Sequence, residues 1–202
     1  MMNSKKIRDY INKKGLKEDI SLKMKGHLKI TTGDGRVVFD RHNLIVNTGK
    51  GLVMDILASL GVTYDCTPLP FNAIILTKNQ SAEVASNTFA SSVYTGGNNQ
   101  ISNEGVLHVG GSGGGQVAVT HVQGSLSILI SGTIAQQYGN DPANNHINSV
   151  CLCSGVNNDY GGPGQGAYAA TGNERLFARV HVGDLVKTVS TSFNFQWMIT
   201  IQ

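Results

Sequence analysis

Charge is the scarcest thing in this chain. Only 14% of its 202 residues are Asp, Glu, Lys or Arg, against about a quarter in an average soluble domain. Proline is nearly absent, with 4 residues, and there is a single Trp. No apolar run approaches the ~18 residues of a membrane-spanning helix. Met1 to Lys14 has no continuous apolar stretch of the kind a secretory leader carries, so synthesis and retention in a cytoplasm are expected. The three cysteines, Cys66, Cys151 and Cys153, are an odd count. The i, i+2 spacing of the last two is poor disulfide geometry. Buried free thiols are the expectation.

Catalytic and cofactor signatures are missing as well. The run Gly110-Gly111-Ser112-Gly113-Gly114-Gly115 lacks the Gly-Lys-Ser/Thr ending of a phosphate loop; a tether or sharp turn explains it. Asn47-Thr48-Gly49-Lys50-Gly51 reads as helix capping rather than an anion site. The six histidines (27, 42, 108, 121, 146 and 181) are scattered, with no short ligand pair. Asn140-Asp141, Asn144-Asn145-His146 and Asn157-Asn158-Asp159 are rich in oxygen ligands, but none follows a known calcium-loop pattern. No nucleophile elbow or paired carboxylates stand out. The expectation is a protein that is not an enzyme, with no catalytic residue, no cofactor and no metal.

What is present is β-structure. The clearest signal lies at the end, where Phe193, Phe195, Trp197, Ile199 and Ile201 alternate with Asn194, Gln196 and Thr200. A period of two is a half-buried strand, and the only Trp sits on its apolar side, so this is expected to be the core strand. Further strands are expected at 71–77, 116–123, 125–134, 147–153, 176–182 and 185–190. Residues 22–46 read as a hairpin about Gly33-Asp34-Gly35, with a type I′ turn. After Asn47-Thr48 as a capping pair, Leu52, Val53, Ile56, Leu57 and Leu60 follow at helical spacing up to Gly61. Phe71–Leu76 aligns with Ile147–Leu152 at an offset of 76, and Thr95-Gly96 with Thr171-Gly172, a weak internal repeat. The long polar loops at 79–115 and 154–172 are expected to be binding surfaces, or to be ordered by neighbouring subunits.

Charge is also unevenly placed. Residues 1–30 hold nine basic and three acidic residues, a net of +6, and residues 31–202 hold seven basic and ten acidic, a net of −3. Residues 1–24 are therefore read as a basic N-terminal arm and 25–202 as the body. In the arm, Ile7, Tyr10 and Ile11 form a narrow apolar stripe among Lys5, Lys6, Arg8, Lys13 and Lys14. A helix this short orders only against a partner. These eight residues are the expected docking element. An acidic protein surface is the favoured partner and nucleic acid the less favoured one.

The stretch Lys25-Gly26-His27-Leu28-Lys29-Ile30, the Asp-Gly turn, Arg41-His42-Asn43-Leu44-Ile45-Val46-Asn47-Thr48-Gly49 and a helix resembles a module of tailed-bacteriophage virion proteins. Ala178-Arg179-Val180 and the terminal strand Gln196-Trp197-Met198-Ile199-Thr200-Ile201 fit the same pattern. The resemblance implies a mainly β fold, a jelly-roll-like β-sandwich with one short amphipathic helix and the basic arm. It implies a structural subunit of the virion, made in the host bacterial cytoplasm. Its expected partners are copies of itself, in a homo-oligomer, and capsid, neck or tail proteins; no membrane is involved. The alternative is a carbohydrate- or receptor-binding module on a tail fibre, with Tyr64, Tyr94, Tyr138, Tyr160 and Tyr168 as sugar-stacking candidates.

Overall fold

The computed structural model describes residues 23–59, 72–94, 106–109, 116–154, 156 and 174–202. The described chain begins by pairing with its own end: Lys23 N donates to Gln202 O at 3.4 Å, and Gln202 N to Lys23 O at 2.7 Å. Nine strands follow among these residues: β1 (Met24–Thr32), β2 (Val37–Ile45), β3 (Ala73–Thr77), β4 (Val106–Val109), β5 (Gln116–Val122), β6 (Ser127–Ile134), β7 (His146–Ser154), β8 (Arg175–Val186) and β9 (Phe193–Ile201). Helix α1 (Asn47–Ser59) follows β2, and a π-helical turn occupies Ala90–Tyr94. The strands form one nearly closed sheet in the order β1-β2-β8-β7-β3-β4-β5-β6-β9, with β9 returning to β1. The mainly β class expected from the sequence is what is found.

A ring of nine strands has a topological consequence. Strand direction must return to itself after one circuit, so antiparallel neighbours must be even in number and at least one neighbouring pair must be parallel. That pair is β4·β5, with His108 opposite Gln116 and Val109 opposite Val117. Parallel neighbours ordinarily need a long crossover. Here the end of β4 lies beside the start of β5, so the chain has only to step one strand sideways. The glycine run 110–115 makes this connection and lies outside the described residues. β4 itself was not expected: four residues are too few to display a period.

β9 is the core strand the alternation implies. Phe193, Phe195, Trp197 and Ile199 are buried, and Ile201 at the strand end is half-buried. They meet Leu28, Ile30, Phe39, Ile130 and Ile134 inside the ring. β3 and β7 differ, being buried on both faces from Ala73 to Thr77 and from Ile147 to Ser154. Residues 79–94, expected as part of the long polar loop 79–115, instead fold over their outer face. Phe89 and Val93 build a second core there with Ala73, Ile75, Cys151 and Cys153. Double burial explains why these strands read as continuous apolar runs. They are also the two halves of the repeat, and they pair so that Ile75 lies opposite its own counterpart, Cys151.

Three local expectations change. The hairpin turn is not type I′, which needs positive φ at both central residues. Thr32 N instead donates to Arg36 O, leaving a three-residue loop that ends on Gly35 at φ 86°, the turn-plus-bulge alternative. The strand expected at 176–182 runs on as β8 through a bulge at Gly183 with φ 89° to Val186, so only the first two residues of the strand expected at 185–190 are strand and 187–190 are not. The capping pair of α1 does not cap: the first turn closes on Val46 O, which accepts from Lys50 N. Asn47 N donates to Ala85 O and the Thr48 hydroxyl to Leu176 O, so both tie the helix to its surroundings. Leu52 and Val53 pack against the interior as expected; the side chains of Ile56, Leu57 and Leu60 lie outside the described part.

Candidate interaction surfaces

The expected docking residues Lys5, Lys6, Ile7, Arg8, Tyr10, Ile11, Lys13 and Lys14 lie outside the described residues. Met24, the last residue of the expected arm, belongs to β1, and Lys25 and Lys29 of the basic segment sit on that strand.

The remaining motif residues converge into packing. Gly26 pairs with Asn43 across β1 and β2. A Cβ at Gly26 would stand 2.2 Å from Asn43 Oδ1, so glycine is what admits the Asn43 side chain. That oxygen accepts from Trp197 Nε1 at 2.7 Å, giving the buried indole its partner. Gly49 answers a second close approach: a Cβ there would meet Phe177 O at 2.2 Å, and Val46 N donates to the same oxygen at 3.1 Å. Helix α1 is thereby seated directly on the backbone of β8.

Arg179 is fully buried on β8. Its Nη1 donates to Ser81 Oγ at 2.9 Å, and its Nη2 to Ser81 O at 2.8 Å, Asn79 Oδ1 at 3.1 Å and Ser149 Oγ at 3.0 Å. A buried cation demands such a cage. Apart from Ser149 these partners come from residues 79–81, so Arg179 pins the segment that covers β3 and β7. Two residues on, Glu83 Oε1 accepts from His181 N at 2.5 Å. This covers a backbone donor on the side of β8 facing β2. The two strands need such cover because they pair only at Leu44–Arg179 and Ile45–Ala178. Beyond that point they run apart, and Asp40, Arg41 and His42 are exposed.

At the hairpin end of the ring, Thr32, Gly33, Asp34, Arg36, Gln136 and Ser190–Ser192 line an open polar cleft of about 240 Å³. The Thr32 hydroxyl and the Arg36 amide both donate to Asp34, holding its carboxyl below the ordinary range. Nearby, Lys187 is fully buried; its Nζ donates to Gln136 O, Asn140 Oδ1 and Thr188 O, fastening the 136–140 turn. Among the described residues no aromatic side chain lines this cleft.

The outer face of β5, β6, β9, β1 and β2 is covered by no other described element. Its β6 and β9 rows are small and neutral: Ser131 lies beside Gln196, Thr133 donates to Asn194 at 2.9 Å, and Ser127 and Thr200 share a hydrogen bond of 2.8 Å, while Lys25, Lys29 and Asp40 stand on the β1 and β2 rows. Met198, 40% exposed, stands in its middle opposite Leu129.

Other expected candidates resolve differently. Tyr138 packs against the interior and is not a free sugar platform; Tyr64, Tyr160, Tyr168 and the side chain of Tyr94 lie outside the described part. Asp141 accepts from Ala143 N and Asn144 Nδ2, closing a local turn; Asn157–Asp159 lie outside the described residues. Cys151 and Cys153 are free and buried, as expected; Cys66 lies outside the described residues. Among the described residues no helix is long and apolar enough to cross a membrane. Comparison with protein-family models, with curated proteins and with solved structures finds no match to this chain.

Proposed function

We propose that this chain is a structural subunit of a bacteriophage virion, binding copies of itself and neighbouring capsid, neck or tail proteins. The observation that carries this reading is the five-strand face that no other described element covers. It is broad, and its β6 and β9 rows carry no charge and are rich in short hydroxyl and amide side chains around Met198. Such a face loses little desolvation energy against another protein, because few charges must be stripped of water. The residues of the phage-like pattern agree: Gly26, Asn43, Gly49, Arg179 and Trp197 each hold the fold at a joint.

The finer fold proposed is a jelly roll. Its support is the nesting of pairs β1·β9, β2·β8 and β3·β7, the pattern made when one long hairpin rolls up. The basic arm, residues 1–24, is proposed to dock on the acidic face of a neighbouring virion protein. No catalytic step belongs to this proposal.

The test is to count this protein in purified particles by mass spectrometry and to cross-link it there. Hundreds of copies place it on the capsid surface; roughly a dozen place it in a tail or neck ring. Absence from particles sinks the proposal. The alternative, a glycan-binding module, draws on the polar cleft alone. A specific glycan-array signal lost on Gln136→Ala and Thr191→Ala would favour it.

A further inference from the structure

The sequence shows no histidine pair, but the fold makes one. His27 on β1 lies directly opposite His42 on β2. The Lys23–Gln202 exchange of hydrogen bonds fixes which β1 residues bond to β9: with alternation, Lys23, Lys25, His27 and Lys29 do. Their neighbours Gly26, Leu28 and Ile30 therefore bond to β2. His27 and His42 are thus a non-hydrogen-bonded antiparallel pair, the kind in which opposed side chains come closest. Their ring centroids are 5.1 Å apart, and both side chains are on the exposed outer face.

We propose that His27 and His42 form a two-histidine site for a borderline divalent transition metal such as Cu²⁺, Ni²⁺ or Zn²⁺. An ion ~2.1 Å from one nitrogen of each ring, with bonds at roughly 90–110°, sets the two centroids about 4.6–5.3 Å apart. The observed spacing lies inside that window. Asp40 completes the arrangement. His27 Nε2 donates to Asp40 Oδ1 at 2.6 Å, which leaves the Nδ1 lone pair for the metal, the carboxylate–histidine–metal relation seen where imidazoles are oriented for ligation. Lys25 and Lys29 flank the pair on the same face, so the imidazole nitrogens supply the attraction and Asp40, bonded to His27, the negative charge beside them. No three His, Cys, Asp or Glu side chains among the described residues converge on one point, so water fills the remaining coordination positions. The ion would join β1 to the stretch of β2 that β8 leaves unpaired.

The test uses the full chain without a histidine tag, titrated calorimetrically with NiCl₂ and with CuCl₂. One ion should bind. His27→Gln and His42→Gln should each weaken binding by roughly tenfold or more, since either change leaves a single ring and removes the chelate advantage. Asp40→Asn should weaken it severalfold through the orienting hydrogen bond, while His121→Gln should leave it unchanged. Asp40, His42 and His121 are exposed and His27 is half-buried on the outer face, so the variants keep the fold. In nuclear magnetic resonance spectra, sub-stoichiometric Cu²⁺ should broaden residues 26–28 and 41–43 first. Absence of binding, unchanged affinity in His42→Gln, or broadening centred elsewhere would each overturn the proposal.

Discussion

Asn43 and Trp197, separated by 154 positions, share a side-chain hydrogen bond between the first hairpin and the last strand: Nε1 to Oδ1, 2.7 Å. It passes over Gly26, whose missing side chain makes room for it. The three residues behave as one unit. Trp197→Ala should cost about 3–5 kcal/mol from lost volume. Trp197→Phe and Asn43→Ala should each cost about 1–3 kcal/mol, and the double variant should be less unstable than their sum, because both remove the same bond. Denaturant melts of the four proteins check this. Strict additivity would mean the bond contributes nothing.

Two glycines of α1 should respond in opposite senses to one substitution. Gly49→Ala drives a Cβ into Phe177 O, a backbone atom that cannot move aside, and should destabilise by more than about 2 kcal/mol. Gly51→Ala meets nothing within 4 Å and should stabilise by about 0.5–1 kcal/mol through helix propensity. Thermal melts of the two variants decide it, and equal shifts would show that the helix does not sit on β8.

Arg179→Met should loosen residues 79–94 before it unfolds the barrel. The change abandons the carbonyl of Ser81 and the side-chain oxygens of Asn79 and Ser149 in a buried site, at about 3–5 kcal/mol. Hydrogen exchange should rise first in Asn79–Val93 and in β3. Uniform loss of protection over all strands would instead make Arg179 a general core residue.

Burial pushes the Cys151 thiol up to about 12 from an ordinary 9.0, with the positive charge of Arg179 offsetting part of the shift. Cys153 is raised well above 9.0 by the same burial. A thiol raised in the folded state favours folding fully below pH 9 and loses that contribution as pH climbs from 9 towards 12. Neither thiol should react with a disulfide reagent in native protein at pH 8, and stability should fall from pH 9 upward. Cys151→Ala should flatten that decline. Rapid native labelling of either cysteine would contradict the double burial of β7.

β9 was legible to the residue because five apolar positions alternate without interruption, and alternation is a property of the backbone alone. The same holds for α1, whose spacing marks Leu52 and Val53 as inward-facing, and for the doubly buried runs Ile74-Ile75-Leu76 and Val150-Cys151-Leu152. The hairpin even carried the hidden histidine pair, since His27 and His42 stand almost symmetrically about Gly33–Gly35; only the bulged register makes them partners. The turn type was not legible, because Asp34-Gly35 suits two hairpin geometries and the pairing of Thr32 with Arg36 chooses between them. Nor was the continuity of β8, since Gly183 reads as a stop until β7 is laid against it.

Composition and periodicity therefore determined that the chain is β-rich, which faces of its strands are apolar and where helix α1 runs. Those are local consequences of side-chain spacing along an extended or helical backbone. Tertiary structure alone decided that nine strands form a nearly closed ring with one parallel joint, that Arg179 is buried rather than solvated, and that Asn43 meets Trp197. Each depends on which strand lies beside which, and hydrogen bonds between strands are indifferent to distance along the chain.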